Sequence, residues 1–418
     1  MGLTKLVRSA QIEVQVLATS PLIRKLMLCI APLAALLAGC DSGDKTPPEP
    51  KPEPPKQVSA YSPASWDALP KTSAEDTVQG FTAWRSACKR LAKDANWGET
   101  CAKAADVPAD AGVIRQFLQD NLQVYSLRGA GNDPKGLVTG YYEPVYPGSL
   151  ERTKDATVPV YGIPDDMIVV SLDSVYPELK GMRLRGRLEG RVLKPYDDAA
   201  TIREQGAKAP VVAWLHDPMD LQFLQIQGSG RVQLQNGRQL RLGYADQNGR
   251  PYRPVGRWLV ENGLLPKEEV SMGRIRDWAT QNPGRVAEML ASNPSYVFFA
   301  QGPDSNEGPR GSLNVPLTAE YSVAIDRKVI PLGSLLWLST TRPDNGQAIA
   351  RPVAAQDTGG AIVGEVRADF FWGTGPQAGD LAGNMKQDGT LWLLWPKGKP
   401  LPDVTVPAKK AEQVSAQS

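Results

Sequence analysis

Three stretches near the C-terminus decide the reading: AIDRKVIPLGS (324–334), QDTGGAIVG (356–364) and VRADFFWGTG (366–375). Each sets an aspartate beside backbone punctuation and off any helical face. Asp326 ends a predicted strand, Asp357 opens a glycine turn, and Asp369 precedes a run of aromatic residues. Asp-Thr-Gly-Gly predicts a tight turn, because glycine tolerates left-handed backbone and close approach. That turn brings Asp357 toward the strand that carries Asp369. Spacing alone leaves a second reading open, since aspartates also cap turns by accepting from nearby N–H groups.

Around these stretches the chain reads as β-rich. Short runs of β-branched and aromatic residues, split by Gly and Pro, predict strands at 136–142, 167–172, 211–214, 221–227 and 231–235. Further strands are predicted at 295–300, 320–325, 334–338, 353–356 and 391–395. Helices are predicted in two places. Between 64 and 125, Phe81, Trp84, Cys88 and Leu91 share one face, and Val113, Phe117 and Leu118 repeat the pattern. Between 267 and 290, Ser271 is an N-cap candidate and Asn282-Pro283 restarts a helix. Helices, strands, helices and strands in that order argue against a doubly wound parallel sheet and for a β-rich α+β fold. The tail after Lys399 is polar and is expected to be mobile.

Composition bounds the chemistry. The chain has 418 residues, enough for two or three domains, with 41% hydrophobic residues, 39 Gly and 36 Pro. Lys and Arg number 47 against 45 Asp and Glu, which argues against a nucleic-acid binder held by a broad basic surface. There is one histidine, His216, expected on a surface turn. Triad hydrolases and multi-histidine zinc sites need imidazoles that this chain hardly has, so any bond cleavage is expected to run on carboxylates. No metal and no organic cofactor is implied.

The N-terminus reads as an export signal over 1–39. Arg24 and Lys25 precede an apolar run from Leu26 to Leu37 that is too short to span a bilayer. It ends in Leu37-Ala38-Gly39-Cys40, which resembles the lipobox of bacterial lipoproteins, so Cys40 is the expected lipidation site. An ordinary cleavage site beside a chance cysteine is the alternative. Pro47–Pro55 (PPEPKPEPP) makes 40–63 a polyproline-like tether. Asp41 resembles an inner-membrane retention signal, but that rule varies among species; the expected location is a lipid anchor facing the periplasm, on the outer membrane. With Cys29 in the signal, Cys88 and Cys101 remain, as a disulfide in an oxidising compartment or as two buried thiols.

The three aspartates with their surroundings resemble the three-aspartate domain of double-psi β-barrels. Val138-Thr139-Gly140-Tyr141-Tyr142-Glu143-Pro144, Leu224-Gln225-Ile226-Gln227-Gly228-Ser229-Gly230, Tyr244-Ala245-Asp246-Gln247-Asn248-Gly249 and Asn293-Pro294-Ser295-Tyr296-Val297-Phe298-Phe299 resemble segments of the membrane-bound lytic murein transglycosylase A family. So does Gly375-Pro376-Gln377-Ala378-Gly379. The resemblance spans roughly 75–397. It implies a double-psi β-barrel with peripheral helices built from 64–144 and 261–399, its three-aspartate motif over 320–397. A smaller β domain would be inserted at 145–260, and 400–418 would be tail.

The family's reaction, as the resemblance implies it, cuts the β-1,4 bond between N-acetylmuramic acid and N-acetylglucosamine in peptidoglycan and leaves 1,6-anhydro ends. The substrate's own C6 hydroxyl attacks, so one carboxyl suffices as acid and then base. The resemblance puts that role on Asp369, with Asp357 and Asp326 in support. The flank Phe370-Phe371-Trp372 suits a raised carboxyl pKa, which Arg367 would oppose if turned inward. Thr139, Tyr141, Gln227, Gly228, Ser229 and Gly230 match positions lining the glycan groove, the Gly-Ser-Gly letting the glycan approach unless it is a simple hairpin turn. Trp372 is either a stacking platform or a core residue. The implied partners are glycan strands and, through the anchor, a membrane, and cell-wall synthesis complexes are admitted as protein partners. Two other readings fit a double-psi barrel: a non-catalytic, expansin-like glycan-binding module, and an inverting endoglycosidase with Asp357 activating water.

Overall fold

The computed structural model describes residues 56–303, 305 and 307–408. The signal, Cys40, most of the expected tether and the end of the tail lie outside the described residues. Pro54–Ser418 forms one compact unit, within which two hydrophobic cores are found.

The first core fills a closed ring of six strands. In ring order these are Leu335–Thr341, Ala348–Asp357, Ser322–Ile325, Arg367–Thr374, Lys135–Glu143 and Lys386–Pro396, and the last pairs back onto the first. Two of the pairings are parallel, Ser322–Ile325 with Ala348–Asp357 and Arg367–Thr374 with Lys135–Glu143; the others are antiparallel. This mixed, closed ring is consistent with the expected double-psi barrel. Leu122–Leu127 and Tyr61–Ala64 extend it as an edge along Lys386–Pro396.

Helices cover this ring as their sequences direct. Ser73 caps Ala74–Leu91 by accepting from Asp76 N, and Phe81, Trp84, Ala87 and Leu91 turn into the core. Asp110 caps Ala111–Asn121 through Gly112 N and Val113 N. That helix buries Ile114 and Leu118, while Val113, expected on the core stripe, is 45% exposed. One residue is 100° of helical turn, so Ile114 occupies the direction expected of its neighbour. Cys88 and Cys101 form a disulfide, which decides between the two readings of that pair. Trp84, Trp97 and Trp395 pack in series beneath it, with centroids 5.4 and 5.6 Å apart.

The second core belongs to a sheet in the order Val297–Gln301, Gln239–Gln247, Ser229–Gln233, Val145–Ser149, Val211–Leu215 and Val158–Tyr161. It extends past the expected boundary at 260. The helices Val255–Glu261, Met272–Gln281 and Val286–Ala291 bury Leu259, Trp278 and Leu290 in it, and Val297–Gln301 is one of its strands. These residues belong with the inserted half because their buried apolar side chains cluster in its core. Ser271 does cap Met272–Gln281, accepting from Arg274 N.

Two further expectations change. The stretch 221–227 is helical, not a strand: Asp217 caps Pro218–Gln227 with Pro at its first position, and Gly228 ends it at φ 75°. Local start and stop signals prevail there over apolar content. The ends of the expected tether and tail are also structured. Gln57–Ser59 pairs antiparallel with Thr405–Pro407, Val406 is buried, and Tyr61 donates through its hydroxyl to the Val329 carbonyl.

Candidate active site

Strand alternation assembles the site on one face of the barrel wall. Asp357 pairs with Ala324, Ala324 with Asp369, and Asp369 with Thr139, so these four residues form one row across four neighbouring strands. Arg367 and Phe371 flank Asp369 on that face, and Tyr141 follows Thr139. Phe370 and Trp372, on the alternate positions, belong to the barrel core. Trp372 is 5% exposed, packs edge-on against Phe370 at 4.9 Å and donates to Met385 Sδ at 3.3 Å. Its reading as a stacking platform is therefore corrected: period two sends it to the side opposite Asp369. Gly140 makes room for it, since a Cβ there would lie 2.7 Å from Trp372 Nε1.

Asp369 is partly exposed, and Oδ1 accepts from the Thr139 hydroxyl. Burial among its neighbours pushes its carboxyl above the usual range; the Thr139 hydrogen bond and the Arg367 guanidinium oppose this, and the Asp357 charge adds to it. Arg367 does turn toward the acid. Its Nη2 donates to Thr139 Oγ1 at 2.8 Å. Thr139, expected as a sugar contact, thus spends its hydroxyl on Asp369 and Arg367.

Asp357 is held differently. Its Oδ1 accepts from Ser312 N at 2.8 Å, Ser312 Oγ at 2.9 Å and Thr358 N at 2.8 Å. Burial raises this carboxyl and those bonds lower it. The buried Tyr141 hydroxyl lies beside it and has no hydrogen-bond partner of standard geometry among the described residues. Burial, with Asp357 and Asp369 close by, drives the Tyr141 pKa far up, so it stays a neutral donor. Its ring packs against Phe371 at 5.2 Å.

Asp326 stands apart from the row. It accepts from Lys328 N at Oδ1 and from Gly364 N at Oδ2, both at 3.0 Å, so it caps its own turn and pins the far end of the loop after Asp357. These hydrogen bonds are those of the turn-cap reading.

Gln227 joins the site from the inserted half. Its Oε1 accepts from Tyr142 N at 3.2 Å, and Nε2 lies 3.6 Å from Met272 Sδ. Gly228 follows as the helix end, and Ser229 begins a strand, so the Gly-Ser-Gly is not a hairpin turn. Gly230 is buried, and a Cβ there would meet Leu224 and Pro144. Its smallness serves internal packing, which corrects the idea that it lets the glycan approach. Tyr142 faces away from Thr139 and lines a cavity of about 310 Å³ with Phe223, Met272, Arg276, Asp380 and Asn384. None of the three aspartates lines that cavity.

Sequence reasoning missed Ser312, Thr358 and the ion cluster at the joint of the two halves. Glu143, 1% exposed, pairs with Arg231 at 2.8 Å and Arg241 at 3.7 Å from the inserted half and accepts from Thr374 Oγ1 at 2.8 Å. Its signal was present in outline: Thr139, Tyr141 and Glu143 recur with period two. Among the described residues no group of three or more His, Cys, Asp or Glu side chains is placed to hold a metal ion.

Comparison with known proteins places the chain in a family. The profile of the MltA specific insert domain matches residues 137–300, and that of the 3D domain matches 321–395. The membrane-bound lytic murein transglycosylase A of Escherichia coli K12 is 33% identical over 290 residues, 68% of this chain and 72% of the relative. The crystal structure of MltA from Neisseria gonorrhoeae in its monoclinic form superposes with a TM-score of 0.75 at 36% identity, over 84% of this chain and 98% of that one. That of E. coli MltA with bound chitohexaose gives 0.62 at 26% identity, over 84% and 97%.

Proposed function

Because the chain belongs to the membrane-bound lytic murein transglycosylase A family, we propose a course for its reaction in which Asp369 is the single acid and base. The protein is a lytic murein transglycosylase. Its substrate is the glycan strand of peptidoglycan, cut at the β-1,4 bond between N-acetylmuramic acid and N-acetylglucosamine. Asp369 protonates the departing glycosidic oxygen, and the C1–O bond breaks. The C6 hydroxyl of the same muramic residue bonds to C1, and its proton passes to the Asp369 carboxylate. The product is a 1,6-anhydro end, no water is consumed, and the acid is restored.

The carrying observation is the Asp369 carboxyl itself: partly exposed, held toward its protonated form by burial, and engaged by protein at one oxygen only among the described residues. A general acid needs that combination. Burial holds Asp369 toward its protonated form, the Asp357 charge adds to this, and the Tyr141 hydroxyl lies beside both carboxyls. The Asp357 Oδ1, which accepts three hydrogen bonds, is less suited to activating water than an inverting enzyme's base would be. Asp326 supports the loop between the two. Tyr141, Gln227, Gly228 and Ser229 line the groove between the halves.

The protein is membrane-associated. We assign the attachment to lipid on Cys40, facing the periplasm from the outer membrane, with cell-wall synthesis complexes as protein partners. Among the described residues no helix is long and apolar enough to cross a membrane.

The test is mass spectrometry of muropeptides released from purified murein sacculi. Anhydro ends are expected; reducing ends would mean hydrolysis, and no release would mean a binding module. Asp369→Asn should lower turnover roughly 10²- to 10⁴-fold with glycan binding kept. Near-normal turnover would remove Asp369 from the role.

A further inference from the structure

The hydroxyl of Thr139 is engaged on both sides. Arg367 Nη2 donates to its oxygen at 2.8 Å, and the hydroxyl hydrogen goes to Asp369 Oδ1. Register makes this possible: Thr139 is the direct partner of Asp369, and Arg367 lies two residues earlier on the same face. The guanidinium is steadied through Nη1 by the carbonyls of Leu137 and Ala368. Among the described residues the hydrogen bonds of Arg367 go to oxygens of this one corner.

A hydroxyl has one hydrogen and two lone pairs. Suppose a protonated Asp369 carried its hydrogen on Oδ1, aimed at Thr139. Both lone pairs of Thr139 would then be taken, one by Arg367 and one by Asp369. Its own hydrogen would need another acceptor, and among the described residues it has none. The arrangement that satisfies every donor has Thr139 giving its hydrogen to Oδ1 and the acidic proton on Oδ2. That is the oxygen free of protein hydrogen bonds among the described residues.

We propose that Arg367 is a positioning residue for the reaction: by occupying a lone pair of Thr139, it fixes the direction of the Thr139–Asp369 hydrogen bond and so keeps the acidic proton on the Asp369 oxygen that is open to substrate. The guanidinium charge also favours the carboxylate form of Asp369. Arg367 therefore trades some acid population for direction, and its removal has two separable effects. The inference rests on Asp369 being the acid.

The experiment is a set of pH profiles of kcat for anhydromuropeptide release from sacculi by the whole protein. It compares wild type, Arg367→Met, Arg367→Lys, Thr139→Val and the double variants, with Asp369→Asn alongside. Arg367→Met should lower kcat roughly tenfold, the scale of one oriented hydrogen bond, while its alkaline limb moves to higher pH. Arg367→Lys, which keeps the charge, should leave that limb near its wild-type position. Because Arg367 orients the proton through Thr139, each double variant should match the limiting kcat of Thr139→Val on the acid side within about twofold, while Arg367→Met still moves the alkaline limb by its direct charge effect. Losses that multiply in the double variants, or an unmoved limb in Arg367→Met, would overturn the proposal. If Arg367→Met does not fold, the Arg367→Lys and Thr139→Val pair carries the same cycle. An active Asp369→Asn would instead remove the acid assignment beneath it, a result distinct from additivity.

Discussion

Asp357 and Asp369 both pair with Ala324, so a single alanine on the strand Ser322–Ile325 separates the two carboxylates. Their strands are next-but-one neighbours, which sets the two Cα atoms about 10 Å apart. The small side chain between them leaves the carboxylates in each other's field, and the Asp357 charge contributes to the raised pKa of Asp369.

That pairing predicts the behaviour of Asp357→Asn. Asp369 serves as acid while protonated, so activity falls as pH rises through its pKa. Removing the Asp357 charge lowers that pKa and moves the alkaline limb to lower pH. The move should be smaller than the effect of burial, which dominates the shift. A pH–rate profile should show about a two- to tenfold loss on the alkaline side, with the curves converging in acid. A limb displaced to higher pH would contradict this electrostatic account.

Stability should move the other way at Asp369. Its pKa is raised in the fold, so the folded state binds the proton more tightly than the unfolded chain. The stability it contributes is fully present below the unfolded pKa and is lost as pH rises through the folded one. Asp369→Asn removes that loss, and thermal unfolding at neutral pH should occur at a higher temperature than in wild type. The gap should close in acid. A variant less stable at pH 7 would show that the carboxylate contributes bonds outweighing its desolvation.

Glu143 ties the two halves. With Arg231 13% and Arg241 9% exposed, neutralising the carboxylate leaves two guanidinium groups short of their counter-charge. Glu143→Gln should cost about 3–5 kcal/mol in urea unfolding, the scale for breaking a buried pair from one side. A cost below about 1 kcal/mol would mean that carbonyls such as those of Ser305 and Gly308 suffice for Arg241.

The Cys88–Cys101 bridge closes a short loop, 13 residues in sequence. Replacing both cysteines by serine should destabilise the protein by about 3 kcal/mol. Reductant should destabilise wild type by a similar amount and leave the serine variant unchanged in the same titration.

Much of the site was legible because its signals are local. The glycine turn after Asp357, the cap at Ser271 and the helical stripe through Phe81 and Trp84 act over a few residues. The misreadings have separate origins. Leu221–Gln227 is apolar enough for a buried strand, and only Asp217-Pro218 before it and Gly228 after it make it a helix. The chemistry of Trp372 suits a sugar platform, but strand alternation, readable from Asp369 three residues earlier, sends it inward. The resemblance implies that residues 261–301 belong to the barrel, whereas their buried apolar residues cluster in the second core.

By itself the chain's order of residues determined the chemistry available: a near absence of imidazole, three punctuated aspartates and an aromatic flank beside the last of them. Those are properties of composition and near neighbours, and they survive in any conformation. Only the folded ring decided which aspartate meets Thr139 and Arg367, which is fastened by Ser312, and which merely closes a turn. Such pairings join residues tens to hundreds of positions apart. They depend on which distant strands become neighbours, and that is settled only when the ring closes.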